Sequence, residues 1–307
     1  MSQKIKITRI EKSKINDVDF NNFSFGSVFT DHMFECDFID GKWVNPTIKP
    51  YQPISIEPSA SVLHYGQAIF EGMKAYKDKN DEVWLFRPDQ NFERINKSAV
   101  RMAIPEFPEE LFYEALTKLV NIDRDWVKHG DGRSLYIRPF VIGNEYAIQA
   151  VPSKNYKFMI ICAPATLYYT KKLKVLVADK FSRAASGGVG YAKAAGNYAG
   201  QFYPTRLAND EGFDQVIWTD ANEHNYLEEA GTMNIFFRIN DTLITAPTTD
   251  TILDGVTRKS LIQIAKDNGI NVEIKKLKVD ELKNAAKNEL SLIHISEPTR
   301  LLSISYA

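Results

Sequence analysis

Cysteine is scarce. The chain has two, Cys36 and Cys162, far apart and without paired spacing. That excludes a disulfide framework, suits a reducing cytoplasm, and leaves both thiols expected in or near a core. Charge of one sign is also missing. There are 38 basic and 39 acidic side chains, so no broad electrostatic pull on nucleic acid or an anionic membrane is implied. No apolar run approaches the ~20 residues that span a bilayer. The N-terminal "MSQKIKITRIEKSKI" alternates charge with isoleucine and lacks the apolar core of a signal peptide. Internal repeats, low-complexity runs and an expected set of metal ligands are absent too.

What remains is the balance of a globular protein: 307 residues, 44% hydrophobic and 25% charged. That length is too great for one ordinary core and suggests two domains or one large one. "MFECDFIDGKWVNPTIKPY" alternates and turns at Asp40-Gly41, which predicts a hairpin. "VWLFRP" reads as a short strand closed by Pro88. "NFERINKSAVRMAI" repeats apolar residues at helical spacing (Phe92, Ile95, Ala99, Met102), and "PEELFYEALTKLVNIDRDWV" is a second amphipathic helix. "LYIRPFVIG" and "YKFMIICAPA" are strands, and "TLYYTKK" is a connector. Beyond it, "LKVLVAD", "QVIWTD", "NIFFRI" and "TLITAP" read as strands. "AGNYAGQFYPTRLAND" reads as one helix, and "VTRKSLIQIAKDNG" as another that stops at Gly269. Two mixed α/β domains joined near residue 170 follow. The last 18 residues, "LSLIHISEPTRLLSISYA", show no convincing period.

The chemistry concentrates around "GGVGYAKAAGNYAG", Gly187–Gly200. Gly188-Val189-Gly190 begins a dinucleotide fingerprint, but Lys193 stands where its third glycine belongs. A lysine among small residues and tyrosines fits a Schiff base with an aldehyde instead, and pyridoxal phosphate is the common aldehyde cofactor. Such a site needs a carboxylate for the ring nitrogen and an anchor for the phosphate. Glu229 in "EEAGTMNIFF" is a candidate carboxylate, or an ordinary turn glutamate. Arg94 is a candidate phosphate anchor, or one arm of a helix-surface salt bridge. Gly255, Val256 and Thr257 in "LDGVTRKS" open a helix where an anion is favoured, or form a plain helix entry.

Taken together and in order, "LHYGQAIFEGMKAY", "FRPDQNFERINKSAVRM", "LYIRPFVIGNE", "GGVGYAKAAGNYA", "EEAGTMNIFF" and "LDGVTRKSL" resemble the signature of branched-chain amino acid aminotransferases. These are fold type IV pyridoxal phosphate enzymes. The resemblance covers roughly residues 20–289. It implies a mixed α/β fold with a small domain over 1–168, a connector over 169–175 and a large domain over 176–289. By the resemblance Lys193 is the Schiff-base lysine and proton shuttle. Arg94, Val256 and Thr257 hold the phosphate, Tyr198 faces the phenolate oxygen, and Glu229 pairs with the pyridine nitrogen. Tyr65, Phe70, Tyr136 and Thr232 line the substrate pocket, with Arg138 and Lys74 close by. The family's site lies between its domains, with a loop near "GNEYAIQAV" reaching across a homodimer.

The aromatic walls suit an aliphatic side chain, at about 25 cal/mol per Å² of apolar surface removed from water. Glutamate must fit the same site, and tyrosine hydroxyls or Arg138 offer its carboxylate a partner. The expected reaction is ping-pong transfer between L-leucine, L-isoleucine or L-valine and 2-oxoglutarate. Residues 290–307 lack the family's closing glycine-threonine-alanine turn and read as a non-native tail on a truncated chain. Weak cofactor binding is expected from that loss. Rival readings are a D-amino acid transaminase or aminodeoxychorismate lyase of the same fold, a nucleotide-binding dehydrogenase, and a non-catalytic chain.

Overall fold

The computed structural model describes residues 4–166, 172–288, 291–297 and 300–304. The chain divides into two units: Met1–Tyr168 with Lys193–Ala195, and Tyr169–Ala192 with Gly196–Ala307. The first three residues of the expected connector, 169–171, lie outside the described residues.

The first unit contains β1 (Lys6–Ile7), β2 (His32–Ile39), β3 (Lys42–Pro50), α1 (Ser61–Tyr65), β4 (Ala68–Phe70), β5 (Met73–Lys77), β6 (Val83–Leu85), α2 (Pro88–Arg101), α3 (Glu109–Ile122), β7 (Ser134–Gly143) and β8 (Tyr156–Ala165). The sheet runs β1-β3-β2-β8-β7-β5-β6, and β4 pairs with β7. The β2–β3 hairpin turns at Asp40-Gly41, where both residues have positive φ (49° and 76°), a conformation that Asp and Gly tolerate. Leu111, Phe112, Ala115, Leu116 and Leu119 bury one stripe of α3, the 3.6-residue period expected of a core-facing helix. They meet Phe34, Phe107 and Phe158, the last two stacked at 3.8 Å between centroids. Each fully buried side chain of this size contributes about 1.5–3 kcal/mol. The buried face of α2 is different: Asn91 and Ser98 share it with Ile95 and Ala99.

The second unit contains β9 (Val175–Val177), α4 (Gly196–Ala199), α5 (Phe202–Asp210), β10 (Gln215–Thr219), β11 (Tyr226–Ala230), β12 (Met233–Ile239), β13 (Thr242–Thr245), α6 (Val256–Asp267), β14 (Asn271–Ile274), β15 (Leu277–Lys278), α7 (Val279–Lys287), β16 (Ser291–Glu297) and β17 (Arg300–Ile304). Its sheet runs β14-β13-β12-β11-β10-β9, with β15 on β11 and β16 on β12. Residues 233–237 of β12 are buried on both faces, as a strand covered on both sides requires. The single helix expected over "AGNYAGQFYPTRLAND" is two, α4 and α5, separated at Gly200-Gln201. Glycine is a poor helix interior residue. The tail without a period forms β16, antiparallel to β12, and β17, antiparallel to β16. Strand pairing is a nonlocal interaction, so no local period announces it.

Candidate active site

In the first unit the lysine of the glycine-rich stretch is fixed by its backbone. The Lys193 N–H donates to Ser98 Oγ at 2.9 Å. Its carbonyl accepts from the Phe70 N–H at 3.0 Å, and the Ala195 N–H donates to the Ala68 carbonyl at 3.0 Å. Ala194 bridges Ile69 in antiparallel fashion. Residues 193–195 therefore lie along β4, held by an isolated antiparallel bridge and two backbone hydrogen bonds. This corrects the expected boundary: the lysine belongs to the first unit, although its flanking residues belong to the second. The side chain follows suit, with Nζ 4.7 Å from the Phe70 ring centroid, a cation–π distance.

The same ring meets Arg138, whose guanidinium carbon stands 4.4 Å from its centroid. Arg138 Nη2 donates to the Tyr136 hydroxyl at 2.8 Å. That hydroxyl lies against the Gly72 backbone, where any Cβ would collide with it. Phe70, Tyr136, Arg138 and Lys193 thus form one cluster.

Arg94 stands on α2, one turn before Ser98. It meets a carboxylate to which sequence reasoning gave no role. Arg94 Nε donates to Glu71 Oε1 at 2.7 Å and Nη2 to Oε2 at 2.8 Å. Asn91 Nδ2 adds a bond to Oε2 at 2.7 Å. The Glu71 side chain is wholly buried and that of Arg94 nearly so, at 0% and 11% exposed. The salt-bridge reading of Arg94 is thus realised, but inside the unit and not on a helix surface. Burial alone would push the Glu71 carboxyl up. The Arg94 charge and hydrogen bonds, then Lys193 and Asn91, hold it below its usual range.

The second unit holds the other predicted carboxylate. Glu229 is buried on β11. Its Oε1 accepts from Asn234 Nδ2 at 2.9 Å and from the Leu253 N–H at 3.0 Å. Its Oε2 lies 2.8 Å from Arg183 Nε. Arg183 Nη2 also donates to the Gly190 and Thr251 carbonyls. Asn234 Nδ2 reaches the Leu253 carbonyl at 2.8 Å, and its Oδ1 occupies the space a Cβ would need at Gly255. Gly255 is the N-cap of α6 and supplies no side-chain cap. The helix that begins at Val256 and Thr257 therefore presents first-turn N–H groups that a cap would otherwise engage.

The remaining predicted residues are scattered. Tyr198 lies half-buried in α4, and Thr232 is exposed in the turn between β11 and β12. Lys74 is buried on β5 opposite Tyr136. Tyr65 stands apart at the end of α1, 44% exposed, with the His64 ring beside it.

Comparison with known proteins gives this geometry a family. The pattern of the class IV amino-transferases matches residues 68–289. Branched-chain-amino-acid transaminase 1 of Bacillus subtilis is 47% identical over 279 residues, covering 89% of this chain and 78% of the relative. The same organism's branched-chain-amino-acid aminotransferase 2 is 45% identical over 289 residues, covering 93% and 79%. The chain belongs to the branched-chain amino acid aminotransferases of class IV. Solved structures agree on the fold of this aminotransferase. The Thermoproteus uzoniensis enzyme with norvaline superimposes with a TM-score of 0.73 at 24% identity, over 89% of this chain and 86% of that one. The Escherichia coli branched-chain amino acid aminotransferase gives 0.69 at 24% identity, over 89% and 84%.

Three residues of the aminotransferase bind predicted site residues without a role from the sequence: Glu71 in the first unit, and Arg183 and Asn234 in the second. Glu71 and Asn234 sat inside quoted motifs, "IFEGMKAY" and "EEAGTMNIFF". A charged residue in an otherwise apolar, strand-like run is the signal that marks Glu71. Arg183 has no comparable signal, since "FSRAASGG" reads as an exposed loop.

Proposed function

We propose that this aminotransferase moves the amino group between L-leucine, L-isoleucine or L-valine and 2-oxoglutarate in a ping-pong cycle, with Lys193 carrying the chemistry. The observation that carries the assignment is the Lys193 backbone bound to β4 and Ser98, with its amine over Phe70. Pyridoxal 5'-phosphate is the cofactor, and the donor set fits it. An amine suits its aldehyde, a guanidinium and the start of α6 suit its phosphate, and a buried carboxylate paired with arginine suits a protonated ring nitrogen. Gly255, where a Cβ would collide with Asn234 Oδ1, lets the asparagine that binds Glu229 pack against the start of α6.

When bound, the cofactor supplies an aldehyde and a ring that accepts electrons. Lys193 Nζ would hold the cofactor through its aldehyde, and the same amine would serve as the base and acid for the proton at the substrate Cα. Arg94, Val256 and Thr257 bind the phosphate. Glu229, bound by Arg183, would face the ring nitrogen and favour its protonated form, and Tyr198 would face the ring oxygen. Phe70 and Tyr136, which cluster with Lys193 and Arg138, would line the pocket for the side chain of the substrate. Arg138, already bound to the Tyr136 hydroxyl, offers charge to the glutamate carboxylate.

A homodimer in the cytoplasm belongs to this reading. Leu63, Tyr65, Tyr146, Ile148 and Val151 are 58, 44, 64, 67 and 56% exposed. They lie in α1 and the loop after β7, whose backbones meet at the Ala60–Tyr146 bridge. Grouped apolar exposure of this kind supports a face covered by a second copy. Among the described residues, no helix is long and apolar enough to cross a membrane.

The test is transamination of 2-oxoglutarate by the three branched-chain L-amino acids, beside D-alanine and aminodeoxychorismate. Turnover is expected with the branched-chain substrates. Turnover confined to either of the others would sink the reading.

A further inference from the structure

We infer that Glu71 is a positioning residue for the cofactor phosphate: it holds the Arg94 guanidinium in the orientation that receives the anion. The inference rests on the cofactor reading above. It explains a wholly buried carboxylate that the transamination steps leave without a task.

Glu71 occupies the junction of β4 and β5. Its backbone N–H donates to the Pro139 carbonyl at 2.7 Å. The N–H of its neighbour Phe70 donates to the Lys193 carbonyl. Its carboxylate accepts from Arg94 and Asn91 on α2. The same helix closes the loop: Ser98 Oγ donates to the Arg94 carbonyl at 2.9 Å and accepts from the Lys193 N–H. One connected network therefore sets the lysine and the arginine in register within a single unit.

The geometry of the pair defines what it does. An arginine side chain has many rotamers, but its planar fork can be locked by a carboxylate bound in parallel along one edge. Glu71 binds the Nε and Nη2 edge of the fork, which fixes the plane and direction of the guanidinium. Stability is a poor reason to keep such a pair. Apolar replacement of a buried ion pair is often neutral or favourable, whereas loss of one partner strands a charge. A fixed guanidinium gains affinity for phosphate because less freedom is lost on binding.

The experiment measures binding to the full chain of two probes, pyridoxal 5'-phosphate and pyridoxal, which lacks the phosphate. In the wild type the phosphate gives a large preference for the first. Glu71→Gln keeps the shape and removes the charge. It is expected to raise the dissociation constant of pyridoxal 5'-phosphate about tenfold or more, the scale of a lost charge-assisted hydrogen bond, and to change that of pyridoxal less than about twofold. Arg94→Ala is expected to lose the same preference, and the double variant to be no worse than Arg94→Ala alone. If Glu71→Gln does not fold, Glu71→Asp, shorter by one methylene, is judged by the same ratio.

Equal weakening of both probes would assign Glu71 a merely structural role and overturn the inference. So would additive losses in the double variant, or an unchanged ratio in Glu71→Gln beside a wild type that discriminates. A wild type that binds both probes equally would overturn the phosphate role of Arg94 itself, which is the failure of the underlying reading.

Discussion

Each unit buries an arginine–glutamate pair, and in the proposed function the two pairs exchange roles. There the first unit offers Arg94 to the ligand with Glu71 bound behind it, and the second offers Glu229 with Arg183 bound behind it. Both carboxylates also accept an asparagine amide, from Asn91 in one case and Asn234 in the other. The same interaction therefore serves opposite ends of one problem. A charge meant for a ligand must stay ionised in a dry place, and an opposite charge behind it achieves this whichever sign faces outward.

The largest expected effect comes from the residue the first unit takes from the middle of the second. Lys193→Ala should abolish the visible absorbance of the bound cofactor and lower turnover by at least about 10³-fold, within the range for loss of an acid–base group. Retention of the band would remove Lys193 from its role and leave the comparison without a centre.

Next come the arginines themselves. Arg94→Ala and Arg183→Ala should each cost about 3–5 kcal/mol of stability, because each strands a buried carboxylate. Denaturant midpoints measure that loss. The two should part in binding. Arg183→Ala keeps the wild-type preference for pyridoxal 5'-phosphate over pyridoxal, and Arg94→Ala loses it. If both lose it, the roles are not exchanged.

A smaller effect concerns acid. Glu71 titrates below its usual value in the folded chain, so the unfolded chain binds more protons as pH falls. The stability it contributes is complete above the unfolded value of about 4.3 and is lost as pH drops through the lower folded value. Glu71→Gln should therefore show a shallower loss of stability between about pH 5 and 3 in urea titrations. An identical slope would mean the carboxylate is not held ionised.

The smallest effect is confined to the first unit, which holds both thiols. Cys36 and Cys162 are buried and unpaired. Burial pushes the Cys36 thiol up to about 12, and Cys162 also well above its usual value. Neither should react with a disulfide reagent at pH 8 until the chain unfolds. Fast reaction of either would show that the core of the first unit opens readily.

Much of the fold was legible because its signals are local. The Asp40-Gly41 turn, the apolar stripe of α3 and the stop of α6 near Gly269 each follow from a few neighbouring residues. The break between α4 and α5 is also local, at Gly200, a poor helix-interior residue. The strand β16 was not legible, since its reason is a pairing partner, Asn234–Ile239, more than fifty residues away, and β17 forms only on the edge that β16 provides. The candidate site divides in the same manner. Lys193, Arg94 and Glu229 stand out as charges within small-residue or amphipathic motifs. Arg183 and Asn234 do not, and the charge of Glu71 marks the residue without announcing Arg94, because a partner's role depends on what it touches.

The sequence by itself determined the chemistry available to this protein. It supplies one lysine among small residues, a carboxylate and an arginine in the right motifs, and an open helix start after Gly255. Those follow from residue type and order. Only the tertiary structure decided which unit owns the lysine, through two backbone hydrogen bonds to β4 and one to Ser98. It alone turned Arg94 inward onto Glu71. Both decisions depend on residues distant in the chain, brought together by burial of the sheet and helix faces that carry them.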